Sequence, residues 1–119
     1  MGRGRRAEGL TPLGGSPIPL GLRSAPAAAP LPHASVRAVP FSDGQVRVLR
    51  LERGFVEPDW CRRPHLGYVL SGELVLDLVD GSRLIIPAGE AFELTADPAR
   101  AHKAAPAGEA VEILLVETT

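Results

Sequence analysis

Apolar and polar residues alternate along the middle of the chain with the period of two that is typical of β-strands. In the segment 72–79, leucines stand at every second position, which would place them together on one face of a sheet. Asp80-Gly81 follows directly, and this dipeptide between two apolar runs indicates a β-hairpin whose two turn residues both need positive φ. The segment 83–86 is therefore predicted to be the returning strand.

Other short segments have strand-like patterns and are bounded by glycine, proline or aspartate. They are 45–53, 66–70, 91–94, 101–104 and 111–117. In the first, the apolar positions change phase between Val48 and Leu49, which predicts a β-bulge. The last is apolar on both faces, as in a buried strand. About seven short strands, with turns every eight to twelve residues or so, predict a single small all-β domain built as a barrel or sandwich.

The first 40 residues differ in composition from the rest. They contain seven of the 12 prolines and six of the 13 glycines, so they have little apolar surface to offset the entropy of ordering. We predict a disordered tail over 1–40 and a β-domain over 41–119. Arg5-Arg6, followed by an alanine-rich stretch, leaves an export signal as an alternative, although prolines and glycines interrupt every apolar run.

Charge and cysteine content narrow the function classes. The net charge of -1 argues against a general nucleic-acid or membrane binder, and it divides into +4 for residues 1–40 and -5 for residues 41–119. The single cysteine, Cys61, excludes an intrachain disulfide and favours a reducing compartment. No apolar run reaches the ~20 residues of a membrane helix. We expect a cytoplasmic protein.

Four features follow one another along the chain, namely the segment 68–74 (YVLSGEL), Asp80-Gly81, the segment 87–90 (PAGE) and His102. Their order resembles that of single-domain cupins, which are small jelly-roll barrels, and the resemblance covers about residues 45–117. The segment 60–72, with the pattern W-C-x3-H-x-G-Y-V-L-S-G, is similar to a subset of uncharacterised small cupins. The resemblance implies a cupin jelly-roll fold and, by family habit, a homodimer.

The first cupin motif, G-x5-H-x-H-x3,4-E-x6-G, supplies two histidines and a glutamate as metal ligands. When Gly72 is taken as its closing glycine, His65 falls at the glutamate position. Asp59 and Cys61 fall at the two histidine positions. The resemblance therefore implies a metal site in which the spacing is kept and the ligand types change.

The second cupin motif, G-x5-P-x-G-x2-H-x3-N, can be aligned in two ways. From Gly81 it places Phe92 at the histidine position, and from Gly89 it reaches His102 two residues late. We prefer the second alignment, because the first uses up the motif before the strand that should follow the hairpin. His102 is then the ligand that the resemblance implies.

The residue types support a metal site independently. Asp59, Cys61 and His65 share parity, so in an extended segment their side chains point to one face. Thiolate and neutral imidazole suit zinc, iron, nickel or copper. We predict that Cys61, His65 and His102 bind a divalent transition metal, one of zinc, iron, nickel, manganese and copper. The alternative is that Cys61 is a small buried apolar residue and that both histidines are structural.

A small-molecule ligand is the partner that these residues favour, with Asp59, Trp60 and Tyr68 as residues that would line its pocket, although a lone Trp and a lone Tyr in so small a core more often serve packing. The sequence has no Gly-rich phosphate loop, no nucleophile motif and no zinc-finger spacing. The leading hypothesis is a metal-dependent oxygenase or isomerase acting on a small polar molecule. The alternatives are a non-enzymatic sensor of a metal or small ligand, and a barrel whose site has decayed and which serves in an assembly.

Overall fold

Antiparallel β-strands account for more than half of the residues that the computed structural model describes, which are 18–61 and 64–118. This confirms the all-β prediction. The only helical elements in the described part are two short 3-10 turns, Leu22–Ser24 and Pro98–Arg100, and no helix there is long and apolar enough to span a membrane. The strands are β1 (Ala34–Phe41), β2 (Gly44–Glu52), β3 (His65–Ser71), β4 (Glu73–Leu78), β5 (Arg83–Pro87), β6 (Ala91–Leu94), β7 (His102–Pro106) and β8 (Ala110–Thr118).

Two sheets enclose a single core. The larger sheet has the strand order β1-β2-β8-β3-β6 and the smaller has the order β5-β4-β7. Alternate residues of each strand point between the sheets, as the period of two requires. The most deeply buried of them come from both sheets and are Leu51, Val69, Leu74, Leu76, Val111 and Ile113.

The hairpin predicted at Asp80-Gly81 joins β4 to β5, but its turn is of another kind. Gly81 N–H donates to the Leu78 carbonyl and Leu78 N–H donates to the Ser82 carbonyl, both at 2.9 Å. Gly81 has a positive φ of 92°, but Asp80 does not, because His33 is the only non-glycine residue with a positive φ in the described part of the chain. The loop therefore has three residues, 79–81, and is not the two-residue turn that was predicted. Asp80 stabilises it by accepting hydrogen bonds from the Ser82 backbone and hydroxyl.

Strand β2 contradicts the predicted bulge. Its pairing with β8 continues without a shift from Gly44 to Glu52. Gln45, Arg47, Leu49 and Leu51 therefore share the inner face, whereas the valines between them face outward. The prediction was wrong because it placed Val46 and Val48 on the apolar face and Arg47 on the solvent face. Arg47 instead points inward, where the Glu117 carboxylate of β8 is its partner.

Strand β1 lies within the segment that composition assigned to the tail. It pairs with β2 over its whole length, from Ala34 opposite Leu51 to Phe41 opposite Gly44. The ordered sheet therefore begins before the expected boundary at residue 40, because a strand at the edge of a sheet gains a full ladder of backbone hydrogen bonds even where its side chains are small. Residues 1–17 lie outside the described residues, so their disorder stays a prediction.

Gly67 of β3 provides a test of this packing. It lies opposite Phe92 of β6, and the Phe92 ring occupies the space that a side chain at position 67 would need. We expect Gly67→Ala to displace the ring and lower the free energy of unfolding by about 1–3 kcal/mol, measured by urea denaturation. Gly108→Ala is the matched control, because a Cβ there meets open space. Equal stability of the two variants would contradict this packing.

Candidate metal centre

The three predicted ligand residues converge between the two sheets. One ligand atom from each of Cys61, His65 and His102 lies within 4.8 Å of the other two. Cys61 Sγ is 3.6 Å from His65 Nε2, and the two imidazole rings meet edge to face with centroids 5.6 Å apart. Both histidines are buried and Cys61 is half-buried.

Backbone pairing places two of these side chains next to each other. Cys61 N–H donates to the His102 carbonyl at 2.8 Å, and His102 N–H donates to the Cys61 carbonyl at 3.0 Å. A reciprocal pair of this kind puts both side chains on the same side of the ladder, with Cα atoms about 5.5 Å apart. His102 is the first residue of β7. It follows the Pro98–Arg100 turn, where the Asp97 carboxylate accepts a hydrogen bond from Ala99 N–H.

His65 comes from the opposite sheet and is the first residue of β3. It shares the inner face with Gly67 and Val69. The ladder between β3 and β8 pairs Leu66 with Val116, so His65 lies beside Glu117. The distance from His65 Nδ1 to Glu117 Oε2 is 2.8 Å.

Glu117 belongs to a buried polar cluster that sequence analysis missed. Its Oε1 accepts a hydrogen bond from Gln45 Nε2 at 2.7 Å, and its Oε2 accepts one from the Arg47 guanidinium at 3.0 Å. The signal was present in the sequence, because Gln45 and Arg47 have the parity of the buried Leu49 and Leu51. Assigning Arg47 to the inner face on this parity would have led us to expect an acidic partner on the inner face of another strand.

The electrostatics of the site favour a neutral His102. Burial lowers the pKa of His102, a positive charge on His65 would lower it further, and the Arg100 backbone acts in the opposite direction. A neutral imidazole is the form that binds metals. For Glu117, burial alone would raise the pKa, but the hydrogen bond from Gln45 and the charge of Arg47 outweigh burial and lower the pKa below its ordinary value.

A cavity of about 310 Å³ opens beside the three ligand residues. Apart from them, its wall is mostly apolar, with Leu49, Phe55 and Phe92 among its residues and with Arg47 and Glu57 as charged groups. Burial raises the pKa of Glu57, while a hydrogen bond from Ala104 N–H and the charge of Lys103 act against that change. A few polar groups in an apolar wall are typical of small-ligand sites, and this volume is at the small end of their range of about 300–1,000 Å³.

The three residues predicted to line the pocket lie elsewhere. Asp59, Trp60 and Tyr68 are exposed and are not part of the wall of this cavity. Tyr68 stands three positions after His65 on β3, so its side chain is on the outer face of the sheet. The ring of Trp60 is covered on one side by Lys103, whose Nζ is 4.9 Å from the ring centroid.

The donor set suits a transition metal. One thiolate and two imidazoles are ligands that zinc, iron, nickel and copper accept, and they leave coordination positions open. In a tetrahedral zinc site, bonds of about 2.1–2.3 Å place the ligand atoms about 3.4–3.7 Å apart. The 3.6 Å between Cys61 and His65 already meets this spacing. No pair exceeds 4.8 Å, so His102 needs to move by only about 1 Å to join them.

Known proteins share the fold without close sequence similarity. No protein-family model and no curated protein matches the sequence. The polyketide cyclase RemF from Streptomyces resistomycificus aligns with a TM-score of 0.69 and 18% identity, covering 87% of this chain and 80% of that one. KdgF from Halomonas sp. aligns with a TM-score of 0.63 and 20% identity, covering 82% and 92%.

Ectoine synthase from P. lautus aligns with a TM-score of 0.60 and 14% identity, covering 76% of this chain and 67% of that one. Similarities at this level of identity establish the fold alone. Together they confirm that the two sheets form a cupin-like all-β domain.

Proposed function

We propose that this chain is a metal-binding cupin that holds one divalent transition metal through Cys61, His65 and His102. The observation that carries the proposal is the convergence of three metal-ligating side chains, all within 4.8 Å, at the wall of a cavity. When bound, the metal would supply Lewis acidity or a place for oxygen to bind. The protein supplies the thiolate and imidazole donors, the orientation of the ligand and the exclusion of water.

For the activity, we propose a metal-dependent oxygenase or isomerase that acts on a small polar molecule. Glu57 is the candidate to move a proton, because it lies on the cavity wall and its raised pKa brings it closer to neutral pH. The hydrogen bond from Ala104 N–H to Glu57 Oε1 holds the carboxylate in place. A polyketide cyclase and ectoine synthase are among the similar structures, which supports catalysis as a use of this fold.

Elemental analysis of the purified protein tests the metal proposal. After reconstitution with zinc, iron(II), nickel, manganese or copper and removal of the excess, we expect about one equivalent of one metal per chain. The control His33→Ala, at an exposed residue outside the cluster, should bind the same amount. A wild-type protein that retains none of these metals would contradict the proposal.

Turnover then separates an enzyme from a sensor, which is the alternative function for the same site. Small polar molecules are screened first by the thermal shift that they produce in the metal-loaded protein. Those that bind are then followed for conversion. For an enzyme, we expect Glu57→Gln to keep its metal and lose turnover. Binding without conversion in the wild type would favour the sensor.

A further inference from the structure

We infer that Glu117 is a positioning residue for His65: held by Gln45 and Arg47, it keeps the imidazole proton on Nδ1 and directs Nε2 toward Cys61 and His102. The consequence for metal affinity rests on the proposed function. The tautomer itself does not, because it can be observed in the metal-free protein.

The contacts that carry the inference cross three neighbouring strands. Gln45 and Arg47 are on β2, Glu117 is on β8 and His65 is on β3, and these strands are adjacent in the order β2-β8-β3. The Glu117 and His65 side chains are only 11% and 8% exposed. Three nitrogen atoms therefore surround one buried carboxylate, at 2.7, 2.8 and 3.0 Å.

The carboxylate determines which nitrogen of His65 carries the proton. An ionised carboxylate can only accept hydrogen bonds, and a neutral imidazole has one N–H and one lone pair. A lone pair on Nδ1 would face a carboxylate oxygen at 2.8 Å and would be repelled by it. The contact has the distance of a hydrogen bond, although not its strict alignment, and a proton on Nδ1 makes it attractive.

The opposite nitrogen is then prepared for a ligand. With the proton on Nδ1, Nε2 presents its lone pair 3.6 Å from Cys61 Sγ. A carboxylate that accepts a hydrogen bond from the other ring nitrogen of a metal-ligating histidine orients the ring and makes it more basic, and its loss typically weakens metal binding 10–100-fold. Gln45 and Arg47 hold the carboxylate itself, so the orientation of His65 is built into the larger sheet.

The substitution Glu117→Leu tests the inference by removing the acceptor of the Nδ1 proton. Arg47 and His65 Nδ1 both contact Oε2 of Glu117, so a glutamine that kept its oxygen toward Arg47 would also keep it toward His65, whereas leucine leaves no oxygen there. We expect ¹⁵N NMR of the metal-free proteins to show the Nδ1–H tautomer in the wild type and, in the variant, the Nε2–H tautomer, whose proton points to Cys61 Sγ. Zinc affinity should fall about 10–100-fold with the stoichiometry unchanged.

Glu112→Leu is the matched control, because Glu112 lies on the same strand with opposite parity and pairs with the exposed Arg50. It should change neither the tautomer nor the zinc affinity. Should Glu117→Leu fail to fold because Arg47 is left without its partner, the double variant Arg47→Met/Glu117→Leu removes both charges and the acceptor together, and we expect it to lose the preference for Nδ1–H.

The outcomes distinguish this inference from the proposed function. An Nε2–H tautomer in the wild type, or a tautomer and zinc affinity unchanged by Glu117→Leu, would overturn the positioning role. A wild-type protein that binds no metal, yet shows the tautomer change, would support the positioning of His65 and refute the metal function.

Discussion

Replacing Cys61 with serine is expected to lower zinc affinity by about 100-fold or more, beyond the 10–100-fold loss that is typical when a residue supporting a metal ligand is replaced. The thiolate is one of only three protein ligands in the cluster and the only one that brings a negative charge. A serine hydroxyl keeps the size of the side chain but remains protonated, so it is a poor zinc ligand. Competition with a chromophoric chelator at fixed pH would measure the change.

Substitution of the histidines tests the same site with a matched control. His33 lies outside the cluster and can serve as that control, whereas the chain has no second cysteine. His65→Ala and His102→Ala should each lose zinc binding, whereas His33→Ala should keep it. Circular dichroism of each variant would show that the sheets remain intact. Near-wild-type zinc affinity in Cys61→Ser would mean that zinc, if bound, is held elsewhere in the chain.

Local signals were sufficient to predict most of the fold. The alternating leucines of β4, the Asp80-Gly81 hairpin and the bounds of Ala91–Leu94 all follow from residues that are close in sequence. The edge strand β1 could not be predicted in this way. Its sequence, ASVRAVPF, mixes alanine, valine and proline with Ser35 and Arg37, and it is ordered by pairing with β2 over its whole length, which composition does not report.

The site shows the same division between local and long-range information. Cys61, His65 and His102 were found from ligand chemistry and from spacing that resembles the cupin motif. Asp59 was grouped with them by parity, but β3 begins only at His65, after Pro64, so the alternation does not extend back to residue 59. Odd or even position predicts which face of a sheet a side chain lies on only within one continuous strand.

Glu117 and Arg47 were missed because their roles depend on each other. An inward-pointing arginine looks implausible until its carboxylate partner is known, and that partner is brought close only by the ladder between β2 and β8. Each of the two residues alone is more simply assigned to the surface. Pairing information across strands would have been needed to place both inside.

Arg47→Met should produce the largest loss of stability among single substitutions of charged residues in this cluster. The substitution leaves the Glu117 carboxylate, whose side chain is 11% exposed, without its cation. Breaking a fully buried ion pair costs about 3–5 kcal/mol, and since Arg47 keeps 21% of its side-chain exposure, we expect a loss of about 2–3 kcal/mol in the free energy of unfolding at pH 7. Urea denaturation would measure it.

Two comparisons test whether the charge is responsible for this loss. Arg47→Met/Glu117→Gln should recover most of the stability, because removing both charges of a buried pair is often close to neutral. Arg50→Met, on the outer face of the same strand, removes an arginine that pairs with exposed carboxylates and should cause no resolvable loss. A similar loss in Arg47→Met and in the double variant would attribute the effect to packing of the arginine stem.

The dependence on pH gives an independent check with a definite sign. In the wild type, the pKa of Glu117 is lowered from 4.5, so its ionised form stabilises the fold above that pH, and the contribution is lost as the pH falls through the lower, folded value. Removing Arg47 takes away its charge and its hydrogen bond, both of which lower the pKa of Glu117, so the pKa of this carboxyl group should be higher in Arg47→Met than in the wild type. The destabilisation caused by Arg47→Met should therefore shrink as the pH falls through the range in which Glu117 becomes protonated, because the variant takes up this proton first. A difference between the two proteins that stayed constant over this range would show that the charge of Glu117 is not what Arg47 compensates.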